Sequence, residues 1–248
     1  MSKKMTISIA AAFMFAAGAA LTDTDVARKG LGIKKTGLIP RYPADFTCPP
    51  VTSFYASWDD IDGTKRDEPH SGIDAGRLGD QIIAPAAGVV VAAWKANWGW
   101  GEEGALLLRH TREDLGLETG PPFYYSEYDH LQYDEIRMLS ENTPIERGMP
   151  LATVSRPGGK RKYFPEVHLE VWQLEDYDAI KWRINQFGGR YWTNKTANLV
   201  DPLYMLSLNA SSNEDGSVDI SIFDPEYDYS SFRGFTYIFP CRRKDVAK

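Results

Sequence analysis

Metal-binding sulfur and imidazole are scarce in this chain, which has two cysteines and four histidines in 248 residues. Two thiols alone build neither an all-cysteine zinc site nor an iron–sulfur cluster, so any metal chemistry must draw mainly on His, Asp and Glu. Basic residues are also outnumbered: 28 Lys and Arg stand against 34 Asp and Glu, a net charge of −6. They form no basic stripe, which excludes the electrostatic footprint of a nucleic-acid binder. Long helical periodicity, internal repeats and low-complexity tracts are missing as well. What is present is 43% hydrophobic residues, enough for a sizeable core and too many for a disordered chain.

Beyond the N-terminus there is no long apolar run. Lys3 and Lys4 precede an apolar stretch from Ile9 to Ala17, and Ala17-Gly18-Ala19 supplies a small-x-small cleavage pattern. The stretch is short of the ~20 residues that a membrane-spanning helix needs. Residues 1–19 therefore read as a signal peptide, with mature protein from about Ala20. The expectation is an exported protein, periplasmic or extracellular, with no stable membrane span after cleavage. In an oxidising compartment Cys48 and Cys241, near the two ends of the mature chain, are a candidate disulfide; two buried thiols are the alternative.

Residues 20–50 carry Gly30, Gly32, Gly37, Pro40, Pro43, Pro49 and Pro50 and read as an extended arm. A main domain is expected over 51–206 and an acidic, turn-rich C-terminal extension over 207–248, whose carboxylates lack calcium-loop spacing. Strands are expected at Ala105–His110, Phe123–Leu131 and Val167–Leu174, and a short helical turn within Glu135–Glu141. Gln81 to Ala93 reads as a hairpin around Pro85-Ala86-Ala87-Gly88, and Thr143 to Val154 repeats the turn-then-apolar pattern. The class is mostly β, a compact antiparallel sheet with long loops.

Two segments carry chemistry. In Pro69-His70-Ser71-Gly72-Ile73-Asp74-Ala75-Gly76, the glycines argue against a helix. On an extended segment His70 and Asp74, an even number apart, point one way. Imidazole nitrogen and carboxylate oxygen are both zinc ligands. In Pro165-Glu166-Val167-His168-Leu169-Glu170-Val171-Trp172, strict alternation puts Glu166, His168 and Glu170 on one face and Val167, Leu169 and Val171 on the other. Either segment alone is also compatible with a solvated surface.

Taken in order, PHSGIDAG, IIAPAAGVVVAA, YDHL (Tyr128–Leu131), RGMPLATV and VHLEVW resemble the LytM/lysostaphin-type zinc metallopeptidases, from about His70 to Leu206. That resemblance implies a compact β-sheet peptidase core that cuts peptide links in peptidoglycan. It implies zinc held by His70, Asp74 and His168, with His130 assisting the water or the oxyanion. Glu170 falls where an acid orients a ligand, or else is an exposed surface residue. One position departs from the pattern: Glu166 stands where the family has the first His of His-x-His. Glu166 either serves as the general base, since a carboxylate beside zinc-bound water is competent, or marks a non-catalytic module that binds wall peptides or activates another hydrolase.

Around these motifs, Trp98 and Trp100 on a Gly-rich loop and Tyr128 beside His130 are candidates for a substrate groove, with packing residues as the alternative. Gly158-Gly159-Lys160-Arg161-Lys162 is a basic loop. The stretch from Trp172 to Leu199 is long enough for an extended hairpin that narrows access. His110 matches no motif and is expected to be structural or on the surface.

Overall fold

The computed structural model describes residues 33–99, 101–155, 166–210 and 215–244. The expected signal peptide (1–19), Trp100 and the basic loop 158–162 lie outside the described residues. Short strands β1 (Ile39–Arg41) and β2 (Phe46–Thr47) lead to β3 (Val51–Ser53), β4 (Ile73–Ala75) and β5 (Gln81–Ile83). Three long strands follow: β6 (Gly88–Asn97), β7 (Glu102–Thr111) and β8 (Phe123–Leu131). Next come β9 (Pro144–Ile145), β10 (Pro150–Thr153) and β11 (Val167–Leu174). The chain continues through β12 (Lys181–Ile184), β13 (Arg190–Thr193), β14 (Asn198–Val200), β15 (Ser217–Asp219) and β16 (Arg242–Arg243). The expected helical turn starts earlier than its pattern suggested, at Tyr133–Ile136.

The main sheet runs β3-β4-β11-β8-β7-β6-β9, and β14 pairs with β11 beyond the end of β4. Every pairing in it is antiparallel. Alternation along β11 sends Val167, Leu169 and Val171 into the larger core and Trp172 and Leu174 into a second, aromatic core on the opposite face. The sheet is therefore covered on both faces. In the aromatic core Trp192 packs edge-on against Tyr125 and Trp172, with centroids 5.3 and 5.2 Å apart, the arrangement that ring quadrupoles favour. Trp192 comes from the β12–β13 hairpin, the extended hairpin expected between Trp172 and Leu199.

One strand assignment needs correcting. Gln81–Ile83 and Gly88–Asn97 do not pair with each other as a hairpin; β5 pairs with β10, while β6 pairs with β7 and β9. The Pro-Ala-Ala-Gly turn instead carries the chain from one sheet to another. It is anchored from outside, since the Pro85 carbonyl accepts hydrogen bonds from Thr236 N and Oγ1. Residues far along the chain thus decide how the turn is used.

The C-terminal segment is part of the larger core. Phe235, Tyr237 and Phe239 are fully buried in it, beside Ile73 and Leu106. The arm and this segment are woven together: β1 pairs in parallel with β15 and β2 antiparallel with β16. The Cys48–Cys241 disulfide lies beside the latter pair. In the chain-entropy picture, closing a loop across 193 residues lowers the unfolded state's freedom by about 5 kcal/mol.

His110 is structural. It is fully buried, its Nδ1 donates to the Ala87 carbonyl at 2.6 Å, and its Nε2 accepts from Ser126 Oγ at 2.8 Å. Burial pushes its pKa down to about 4, from about 6.5 in the unfolded chain. Between those values the unfolded chain binds the extra proton, so stability is full above pH ~6.5 and declines as pH falls toward 4. The loss amounts to roughly 3 kcal/mol. Urea unfolding at pH 7 and pH 4.5 should show this drop, and His110→Gln should remove most of it. An unchanged pH dependence in that variant would assign the effect elsewhere.

Candidate metal centre

β11 builds the centre because its neighbours align with it. His168 stands directly opposite Asp74 of β4 on one side and Asp129 of β8 on the other. Directly opposed residues share a face, with Cβ atoms ~4.5–5.5 Å apart, so the three side chains form a row. His70 joins from the loop before β4. That loop runs so close to β11 that a Cβ on Gly72 would sit 2.1 Å from the Leu169 carbonyl oxygen. Only glycine allows the approach that brings His70 to His168.

The result is a tight triangle. His70 Nε2 lies 3.0 Å from His168 Nδ1 and 3.2 Å from Asp74 Oδ1, and His168 Nδ1 lies 2.9 Å from Asp74 Oδ1. Donors bound at ~2.0–2.1 Å to one tetrahedral ion stand ~3.3 Å apart, so these three atoms fit a single divalent metal. Outer hydrogen bonds select the tautomers this requires. His70 Nδ1 donates to the Phe54 carbonyl at 3.0 Å, which leaves Nε2 as the ligand atom. His168 Nε2 donates to Glu170 Oε1 at 3.2 Å, which leaves Nδ1. Glu170 is itself held by the Ser71 hydroxyl and by Trp172 Nε1 at 2.9 Å. Arg66 Nη2 takes the other oxygen of Asp74 at 3.2 Å.

These contacts set the charges. Burial would raise the Asp74 carboxyl, but the charge of His70 and the hydrogen bonds from both histidines hold it well below the usual range. Burial would likewise lower His168, yet its hydrogen bonds to Asp74 and Glu170 raise it well above the ordinary histidine value. The anionic surroundings that favour a proton on His168 also favour a metal cation in its place.

All three ligand residues line a cavity of about 610 Å³, and so do Asp129, His130 and Glu170. Asp129 and His130 are adjacent in sequence, so alternation would send them to opposite faces. A β-bulge prevents this. Gly104 pairs with Leu131 and Leu106 with Tyr128, so Ala105 alone opposes Asp129 and His130. His130 adopts φ +65°, and the bulge turns both side chains into the cavity. His130 Nδ1 donates to Glu103 Oε2 at 2.6 Å, with both residues buried. Burial opposes its protonation, but the charge and hydrogen bond of Glu103 outweigh that and raise its pKa. Burial, then the neighbouring charge of Glu103, pushes Asp129 up to about 6.

The structure brings His70, Asp74, His168, His130 and Glu170 together, with Trp98 at the cavity wall beside Phe187 from the tip of the β12–β13 hairpin. Glu166 is buried but is not among the described residues that line the cavity. Tyr128 is no groove residue: it pairs with Leu169 and is fully buried in the larger core. Its neighbour Asp129 faces the cavity instead. Arg66, Glu103 and Asp129 are additional site residues. Asp129 stood inside the YDHL motif, but no periodicity marks a bulge, and the Glu103 signal was the second of two acids opening an apolar strand.

No protein-family model matches the sequence, and no curated protein matches it. Among solved structures it is similar to a zinc-containing peptidase from Vibrio cholerae, at 20% identity and TM-score 0.35, over 52% of this chain and 34% of that one. It is similar to LytU at 19% identity and TM-score 0.37, over 54% of this chain and 79% of that one. A third is the catalytic domain of a mutant prophage-encoded M23 protein, EnpA from Enterococcus faecalis, at 20% identity and TM-score 0.33, over 54% and 85%. The chain spans only about a third of the Vibrio protein, and likenesses this distant leave the chemistry to be read from the site.

Gly72→Ala tests the close approach. Zinc affinity, measured by chelator competition, should fall by about 10–100-fold while the far-ultraviolet spectrum of the sheet is retained. Unchanged affinity would mean that the loop reaches β11 by another path.

Proposed function

We propose that this chain is an exported zinc metalloendopeptidase that hydrolyses peptide bonds, with peptidoglycan as its substrate. One observation carries the reading: the His70–Asp74–His168 triangle faces a cavity that an ion-paired histidine, His130, also lines. Three protein ligands leave a fourth position for water, the arrangement of catalytic rather than structural zinc. Zinc bound there supplies Lewis acidity, polarising the scissile carbonyl and lowering the pKa of a water to ~7. The chain's own residues do the rest. The Phe54 carbonyl and Glu170 fix the imidazoles. Glu103 raises the pKa of His130, and the imidazolium donates a hydrogen bond to the carbonyl oxygen as negative charge develops. Trp98 and Phe187 offer apolar walls to an extended peptide. The Cys48–Cys241 bridge suits an oxidising compartment, and among the described residues no helix is long and apolar enough to cross a membrane.

Purified protein should hold about one zinc per chain and cleave peptidoglycan or a peptide from a small library. His168→Ala should abolish both. A second reading, a module that holds wall peptides without cutting them, is favoured by the position of Glu166 outside the cavity lining. Full zinc occupancy with no cleavage of any substrate would establish that reading and end the catalytic one.

Glu103→Gln separates the two histidine roles. It should lower kcat by roughly 100-fold, because His130 loses the charge that raises its pKa, with zinc content unchanged. Wild-type kcat in this variant would remove His130 from the reaction.

A further inference from the structure

Peptide hydrolysis needs a group to take a proton from the attacking water, and Glu166, the residue that occupies the expected position in the sequence, is not among the cavity's lining residues. Another carboxylate is. Asp129 lines the cavity directly opposite His168, in the cross-strand row that also holds Asp74. It is only 5% exposed, and its Oδ1 is buried without a hydrogen bond from any described residue. A buried carboxylate oxygen left unsatisfied costs free energy, the more so with Glu103 and Glu170 nearby. The neighbouring ligand carboxylate, Asp74, is by contrast fully engaged by His70, His168 and Arg66. The bulge that turns His130 into the cavity is also what places Asp129 one residue away from it.

We propose that Asp129, and not Glu166, is the catalytic carboxylate: its oxygen other than the shielded Oδ1 receives the proton of the attacking water. This rests on the peptidase reading above. The water oxygen forms a bond to the carbonyl carbon, the carbonyl π pair moves onto its oxygen beside His130, and one water proton passes to Asp129. Asp129 then returns that proton to the amide nitrogen as the C–N bond breaks. The products are a carboxylate and an ammonium group, after the new carboxyl group ionises and the new amine takes its proton. The carboxylate begins and ends the cycle unprotonated, and no oxidant or co-reactant is needed.

The test compares wild type, Asp129→Asn and Glu166→Gln, each loaded with zinc and offered peptidoglycan and the cleaved peptide. Asp129→Asn should lower kcat by about 100-fold or more with little change in KM, while Glu166→Gln stays within a few-fold of wild type. Two readouts do not depend on turnover. The zinc affinity of Asp129→Asn should match wild type, since Asp129 is not a ligand. Its metal-free form should melt at or above the wild-type temperature, because the substitution removes a charge whose burial, together with Glu103, outweighs the help of His130 and His168. A smaller loss of kcat, a loss in Glu166→Gln as large as in Asp129→Asn, weakened zinc binding or a lower melting temperature would each overturn the proposal. Wild type that binds zinc but cleaves nothing would overturn the peptidase reading along with it, whereas an active wild type and an active Asp129→Asn overturn this inference alone.

Discussion

His168 sits half-buried between carboxylates, with Asp74 Oδ1 2.9 Å from one ring nitrogen and Glu170 Oε1 3.2 Å from the other. Taking such groups out of water costs several kcal/mol per charge unless their hydrogen bonds are completed. The rest of the site supplies that completion. Ser71 and Trp172 hold Glu170, Arg66 holds the outer oxygen of Asp74, and the Phe54 carbonyl fixes His70. Three of these partners lie in the connection between β3 and β4 and one on β11, so the polarity of one residue constrains the positions of four others. A strand with two apolar faces would have needed none of this.

The sheet meets that constraint by dividing one of its faces. Along β11, His168 and Glu170 occupy the polar end, and Trp172 and Leu174 occupy the apolar end under the β12–β13 hairpin. The hairpin covers the apolar end with Trp192 and reaches the cavity with Phe187. It is held to the end of β6 by Asn185 Nδ2, which donates to the Asn97 carbonyl at 2.7 Å. Polar and apolar chemistry therefore meet along a single strand, and the boundary lies between Glu170 and Trp172, where the indole N–H bonds the carboxylate.

Much of this was legible in the sequence because it depends on period-two alternation. The bounds of β8 and β11, the apolar face at Val167, Leu169 and Val171, and the convergence of His70, Asp74 and His168 follow from spacing and from the family-like order of motifs. What was not legible depends on contacts that alternation does not encode. The turn at Pro85–Gly88 looks like a hairpin until Thr236 binds it from the far end of the chain. Tyr128 looks like a groove residue until its pairing with Leu169 turns it into the core. Asp129 and His130 share a face only because one residue of β7 opposes two of β8, and nothing in the letters YDHL marks that irregularity.

The burial of Phe235, Tyr237 and Phe239 bears on when the centre can exist at all. These are among the largest fully buried side chains, and they pack in the same core as Ile73 and Leu169, the neighbours of Asp74 and His168. A nascent chain that has not yet released residue 239 leaves that side of the sheet wet, so His70, Asp74 and His168, although long since synthesised, have no firm floor on which to meet. Ligand assembly thereby waits for residues 235–239, and the order of residues along the chain acts as a delay on its own chemistry.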